Sequence, residues 1–300
     1  MEPGTSLKHI TVCVCTFRRP AMLQRLLVEL ERQQTEGKFT YSVVIADNDA
    51  KGSAADVVNR FAASSKLSVR YACEPRANIA LARNKALENA DGDFIAFIDD
   101  DEFPTPTWLL SMLGTCEKYA AAGILGPVRP HYESKPPEWI IRGGFHERPE
   151  HPTGRVMDWE ECRTGNLLFR RSLVRDLAEP FNPDFGTGGE DKDFFMRMTQ
   201  SGHVFRWCHE GAVYETVPMD RWTRSYLFRR ALLRGKNILK HPTGKVRMLL
   251  TSVVAVPVYS LLLLPCALRG QEYFVRYCIK LCDHLGRLLA FVRLNPVNER

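Results

Sequence analysis

Residues Phe94–Ile98 (Phe-Ile-Ala-Phe-Ile) are apolar without a break, and they run straight into four acids, Asp99, Asp100, Asp101 and Glu102. A short, continuously apolar run reads as a strand covered on both faces, the kind found inside a parallel sheet. Carboxylates at the C-terminal end of such a strand stand where open α/β sheets receive their ligands. Four adjacent like charges repel and raise one another's pKa. One reading of the cluster is a solvated acidic loop. The other is a site for Mg²⁺ or Mn²⁺, which removes the repulsion and prefers hard oxygen donors. The apolar run before the acids and the Pro104/Pro106 stop after them favour the metal site.

The same strand-then-polar pattern recurs upstream. Ile10–Thr16 reads as a strand, and Pro20 opens a helix over Ala21–Gln33, with Met22, Leu23, Leu26, Leu27 and Leu30 at helical spacing. Tyr41–Ala46 is a strand ending on Asp47-Asn48-Asp49, and Ala54–Ala63 a helix. Leu67–Cys73 is a strand, and Ile79–Asn89 a helix that Asn78 can cap. Phe94–Ile98 is followed by a helix over Thr107–Tyr119. Four alternations with short links predict an α/β fold with a doubly wound, mostly parallel sheet. Thr16 and Arg18, then Asp47, then the acidic cluster mark one ligand crevice along its carboxyl edge.

After Ile124–Val128 the period changes. Arg129–Glu161 is rich in Pro, His, Glu and Arg, with Trp139 and Trp159 set into it. It predicts a long surface excursion with a short helix near Glu138–Arg142. Thr164–Arg171 reads as another strand. Gly186, Gly188 and Gly189 then precede Glu190, Asp191 and Asp193, which open a helix over Asp191–Ser201. Acids at a helix N-terminus serve as caps and favour the macrodipole. Three of them leave at least one to face a cleft as a general base. Val204–His209 and Ala212–Tyr214 are short strand candidates. The basic helix Arg224–Asn237 reads either as a solvated face or as one that meets a diphosphate or lipid head groups.

The net charge of +6 conceals an asymmetry: from Arg221 onward there are 15 Lys/Arg against 3 Asp/Glu. Met248–Leu268 holds 21 residues without a charge, which as a helix is about 30 Å long, near the hydrocarbon thickness of a bilayer. Lys240, Lys245 and Arg247 precede it and Arg269 follows; Pro257 and Pro265 predict a kink or break. Tyr273–Arg293 is amphipathic, with Arg276, Lys280, His284 and Arg287 at helical spacing. Together they predict a membrane-interface segment, in-plane or re-entrant rather than spanning, with a pair of core helices as the alternative. Nine cysteines without a CxxC pair argue for free thiols and against a zinc ribbon. Met1–His9 is short and polar, so no signal peptide is expected. These patterns predict a catalytic domain over 1–220, divided near 128, and a basic helical extension over 221–300.

Five segments carry a resemblance: Val14–Pro20, Val44–Asp49, Asn78–Asn84, Phe97–Glu102 and Gly189–Phe194. In this order and spacing the chain resembles family 2 glycosyltransferases of the GT-A fold. Its Cys-Thr-Phe-Arg-Arg-Pro opening and Thr-Gly-Asn-Leu-Leu segment are most similar to bacterial exopolysaccharide transferases of the succinoglycan glucosyltransferase type. The resemblance implies a Rossmann-like GT-A domain and a nucleotide diphosphate sugar donor, UDP-glucose foremost. Thr16, Phe17 and Arg18 would line the base pocket, Asp47 would accept from the base, and Arg83 would lie near the phosphates. Asp99 would face the ribose and donor sugar, and Asp101 with Asp99 would hold Mn²⁺ or Mg²⁺; Asp100, an extra acid, leaves the ligand set open. His209 or Glu215 would be a late metal ligand. Asp191 would be the catalytic base, with Glu190 the alternative. Trp139, Thr164, Gly165 and Asn166 would shape the acceptor site.

One base acting opposite the leaving group implies inversion. The Gln-x-x-Arg-Trp signature of processive members is not matched, so single-sugar addition is expected. The acceptor implied is a lipid-linked saccharide, met at the cytoplasmic face of the inner membrane by a peripheral or monotopic protein that touches the membrane through 240–295. Two alternatives compete. A nucleotidyltransferase would carry a Gly-rich phosphate loop after the first strand, and Thr16–Pro20 has no glycine. A nucleic-acid-binding protein fits poorly with Met248–Leu268 and with the lack of a helix-turn-helix or RNA-binding signature, so no nucleic-acid partner is expected.

Overall fold

The computed structural model describes residues 7–186, 188–238 and 245–294. The chain divides into two units, Met1–Arg129 with Arg148–Glu215, and Pro130–Glu147 with Thr216–Arg300. Residues 130–147, which the sequence groups with the acceptor half of the catalytic domain, thus cluster with the C-terminal helices.

The first unit is built on β1 (Lys8–Thr16), β2 (Phe39–Asp47), β3 (Val69–Cys73) and β4 (Phe94–Ile98). These run parallel in the order β3-β2-β1-β4. All five residues of β4 are buried, as its unbroken apolar run requires. The short strands β5 (Glu102–Pro104), β6 (Gly123–Leu125) and β7 (Val128–His131) follow, and then β8 (Asn166–Arg170), β9 (Phe205–Trp207) and β10 (Val213–Thr216). The main sheet continues from β4 through β8, β6 and β9. Only β8 is antiparallel to its neighbours, so the sheet is mostly parallel. A second sheet has the order β5-β10-β7.

Alternate residues of a strand face opposite sides of the sheet. Ile10, Val12 and Val14 meet α1 (Pro20–Glu31), α2 (Ala55–Ser64) and α4 (Trp108–Lys118) on one side. Cys13, Ile95 and Phe97 join the core formed with α3 (Ile79–Glu88) and α6 (Glu190–Gln200) on the other. The doubly wound architecture is the one the alternation predicts. The second sheet is not legible in the sequence: β5 is three residues long, begins on an acid and ends on a proline.

The second unit contains α5 (Glu138–Gly143), α7 (Arg224–Ile238), α8 (Lys245–Arg269) and α9 (Gln271–Phe291). Helix α9 packs against the other three. A Cβ on Gly286 would stand 2.2 Å from the Leu232 carbonyl oxygen, and one on Gly235 would stand 2.1 Å from that of Asp283. Helices α7 and α9 therefore touch backbone to backbone, which only glycine allows. Arg234 donates two hydrogen bonds to Asp283 beside that crossing, at 2.8 and 2.6 Å.

Two expectations need correction. Pro257 and Pro265 do not break the apolar segment, since α8 is one helix of 25 residues. Both prolines are exposed. Nor is α8 a core helix, because its apolar window is only 6% buried. Lys240, counted among the flanking cations, lies outside the described residues.

Candidate active site

Strand β1 carries Thr16 to the carboxyl edge of the sheet, where its hydroxyl donates to Asp100 Oδ2 at 2.8 Å. The chain then turns through Arg18, whose φ of 56° is left-handed, an uncommon conformation for a residue with a Cβ. Adjacent arginines part company here. Arg18 donates to both Asp49 oxygens after β2, at 3.2 and 3.3 Å, and lies over the Phe17 ring. Arg19 Nη1 donates to Asp100 Oδ1 and Asp101 Oδ2 after β4, each at 3.0 Å.

Asp47 is fully buried. Its Oδ1 accepts from the Asp49 N–H at 3.1 Å, and its Oδ2 from the Ala54 N–H at 2.8 Å and the Tyr71 hydroxyl at 3.0 Å. It thereby shapes the loop after β2. A carboxylate has about four acceptor positions, so one remains.

The other acids of the β4 run face inward. The Asp99 N–H donates to Glu102 Oε2 at 3.2 Å, while Glu102 Oε1 is buried without a partner. A Cβ on Gly165 would stand 2.9 Å from that oxygen and 3.0 Å from Asp99 Oδ2, so the missing side chain makes room for both carboxylates. Burial raises the Asp99 pKa to about 6, with Arg83 opposing and Asp101 and Asp100 adding. Burial holds Glu102 well above the usual carboxylate range, with Asp99 adding and Arg148 opposing. Arg148 pairs with Glu215, which stands opposite Glu102 across β5 and β10. Burial alone would lower the Arg148 pKa, but Glu215, Glu102 and Asp99 together leave it raised.

This arrangement makes a pH prediction for protein kept in EDTA. Because the folded state holds Asp99 and Glu102 protons that the unfolded chain releases near pH 4, stability should fall as pH rises through 6. Glu102→Gln replaces the repulsion with a donor. Urea melts should show a gain of about 1–3 kcal/mol at pH 8 and none at pH 5. An equal effect at both pH values would show that Glu102 ionisation is not the cause.

The first turn of α6 sorts its acids. Gly189, at φ 103°, is the N-cap, so no side chain caps the helix. Glu190 is ion-paired with Arg83, and both are buried. Asp193 accepts from Arg197 at 2.8 Å. Asp191, half-buried, makes no ion pair among the described residues and accepts only the Lys192 N–H, at 2.8 Å.

The proposed acceptor residues separate. Thr164 is buried with its hydroxyl unpartnered, beside Gly165. The Asn166 amide is fully engaged, donating to the Pro127 and Gly211 carbonyls at 3.0 and 2.8 Å and accepting from Trp108 Nε1 at 2.9 Å. Trp139 belongs to the other unit, where it packs on Phe145. Of the two late metal-ligand candidates, Glu215 joins the carboxylates, whereas His209 lies against Glu150 and Arg129. Arg19 and Arg148 are residues to which sequence reasoning gave no role, and Glu102 one that it placed only in the acidic cluster at large. Glu102 had a signal in its place beside the acids, and Arg148 had none.

Among the described residues no three His, Cys, Asp or Glu form a complete metal cage. Mg²⁺ and Mn²⁺ need no such cage when one or two carboxylates and phosphate oxygens suffice. The hard oxygens of Asp99 and Asp101, and the orphaned Glu102 Oε1, fit that sparser kind of site.

Solved structures share this fold. The mannosyltransferase PcManGT from Pyrobaculum calidifontis, in complex with GDP-Man and Mn²⁺, superposes with a TM-score of 0.64 at 17% identity, over 95% of this chain and 88% of that one. S. aureus TarS 1-349 in complex with UDP gives 0.54 at 17% identity, over 80% and 68%. The fold is thus of the GT-A type. The Glycosyl transferase family 2 model matches residues 11–177. Succinoglycan biosynthesis protein ExoM of Rhizobium meliloti (strain 1021) is 36% identical over 230 residues, 76% of this chain and 73% of that protein. The hyaluronan synthase of Pasteurella multocida is 28% identical over 252 residues, 73% of this chain but 25% of that protein. The chain belongs to glycosyltransferase family 2 and is a glycosyltransferase, which sets aside the nucleotidyltransferase alternative.

Proposed function

We propose that this enzyme moves a single sugar from a UDP-sugar, UDP-glucose first among them, to a saccharide hydroxyl with inversion at the anomeric carbon. The observation that carries the reading is the convergence of carboxylates with Arg19, Arg83 and Arg148 at the carboxyl end of β1 and β4 and the start of α6. Thr16, Phe17, Arg18 and the remaining acceptor position of Asp47 serve the nucleoside. Asp99 orients the donor sugar and ribose, and Asp101 with Asp99 holds Mn²⁺ or Mg²⁺. When bound, the ion neutralises charge that develops on the leaving diphosphate. Arg19 lies on the same acids and adds a second positive charge for the diphosphate. Asp191, without an arginine to tie it down, takes the proton from the attacking hydroxyl. Thr164 and Gly165 shape the acceptor side.

The name of the ExoM relative supports a role in polysaccharide assembly. The apolar α8 supports a lipid-linked acceptor, met at the cytoplasmic face of the inner membrane by an enzyme attached through 221–300. Calorimetric titration with UDP, GDP and ADP, each with Mn²⁺ and with EDTA, tests the donor site. Metal-dependent binding of UDP alone is the expected result. Binding of GDP instead would replace the donor class, and no binding of any by folded protein would remove the donor-site reading.

A further inference from the structure

We infer that α8 lies in the plane of an anionic bilayer interface, its exposed side toward the acyl chains and α9 on its water side, and does not cross the membrane. The inference rests on the membrane-sited acceptor proposed above. Leu250, Val254, Leu261, Leu264 and Leu268 are between 65% and 84% exposed, along the whole of one side. The other side faces α9. Ser252 Oγ lies 3.0 Å from His284 Nδ1, and the Tyr259 ring is 5.8 Å from that of Tyr277. Those pairings run the two helices antiparallel, side by side, about the turn at Gly270.

The polar groups of α8 suit lipid rather than water. Thr251, Ser252 and Ser260 each donate to the carbonyl four residues back, at 2.8, 2.7 and 2.8 Å. The protons of these three aliphatic hydroxyls are thus satisfied within the helix, as an apolar environment demands. The helix holds no acid, and Arg247 and Arg269 stand near its two ends. Such cations snorkel to anionic head groups.

Two observations decide between lying and crossing. A crossing α8 would draw its partner with it, because α9 runs alongside. Helix α9 carries Arg276, Lys280, Asp283, His284 and Arg287 through its middle. Charges of that density do not enter hydrocarbon. In addition, Pro257 and Pro265 supply no N–H to the carbonyls of Val253 and Leu261, four residues back. Water and head groups satisfy those oxygens readily at the interface, whereas in a crossing helix a neighbouring helix, a Ser/Thr side chain or a local backbone adjustment must do so. An interfacial helix buries one apolar face and keeps its polar partner wet.

The test is flotation of the full chain with preformed vesicles of phosphatidylethanolamine and phosphatidylglycerol, with transfer to a soluble saccharide acceptor measured on the same samples. The wild type should float, bind vesicles of phosphatidylcholine less, and be released by alkaline carbonate. Leu261→Glu/Leu264→Glu should lower the floated fraction at least about tenfold, with melting temperature and soluble-acceptor transfer unchanged. Flotation that resists carbonate overturns the in-plane arrangement and leaves the membrane-sited acceptor standing. A wild type that transfers sugar but does not float overturns both. A dimer in vesicle-free solution that the double variant dissolves would show that a second copy, not lipid, covers α8.

Discussion

Asp191→Asn should lower kcat by about 10²- to 10⁴-fold, the usual contribution of a positioned general base. The substitution keeps the size of the side chain and an oxygen for the Lys192 N–H, and removes its charge and its capacity to take a proton. It should therefore leave nucleotide affinity within about twofold of the parent, since a base that acts only in the transition state adds little to ground-state binding. The structure gives the reason for choosing Asp191 over its neighbour. Glu190 is held by Arg83 and Asp193 by Arg197. A carboxylate already neutralised by an arginine is a poor proton acceptor. Parallel measurement of kcat and of UDP affinity by calorimetry separates the outcomes. Lost nucleotide binding would move Asp191 into the donor or metal site, and unchanged kcat would return the base role to Glu190.

Arg83→Met should be the most destabilising single change at the site. It leaves the Glu190 carboxylate buried without its cation, and breaking one side of a buried pair costs about 3–5 kcal/mol. Burial raises the Glu190 pKa, and Arg83 is the main charge that opposes it. Without Arg83 the upward push of burial is opposed only by a backbone hydrogen bond. The folded state then holds a proton that the unfolded chain releases, so the variant loses stability as pH rises. The deficit should be full at pH 8 and shrink toward pH 5 in urea melts. Glu190→Leu in the Arg83→Met background should recover most of it, as expected for residues that act as a pair. A deficit of equal size at both pH values would mean that Arg83 acts chiefly through its contact with the Phe181 ring, 5.5 Å away.

Both predictions turn on one feature of α6. Neighbouring residues in a helix point about 100° apart, so Glu190 and Asp191 enter different surroundings although they are adjacent and both acidic. The sequence places the pair at a helix start behind a glycine-rich loop and can go no further. Arg18 and Arg19 repeat the lesson at the end of β1, where a left-handed residue sends one guanidinium to Asp49 and the next to Asp100 and Asp101. Asn166 shows the reverse: it falls in a segment similar to the family's acceptor region, yet its amide ties together β8 and two backbone carbonyls.

What the sequence by itself determined is whatever depends on a local pattern. The unbroken apolar run of β4, the alternation of strand and helix, the order of the five segments and the charge-free α8 each lie within one stretch of chain. Burial and secondary structure follow from such stretches through periodicity alone. Tertiary structure alone decided which acid meets which base. Arg83 and Glu190 are 107 positions apart, and Arg148 and Glu215 are 67 apart. Partners so distant are chosen by how the sheet and its connections fold back on one another. The placement of 130–147 with the C-terminal helices, and the side of α8 that meets α9, were decided in the same way, because no local pattern records what a helix will pack against.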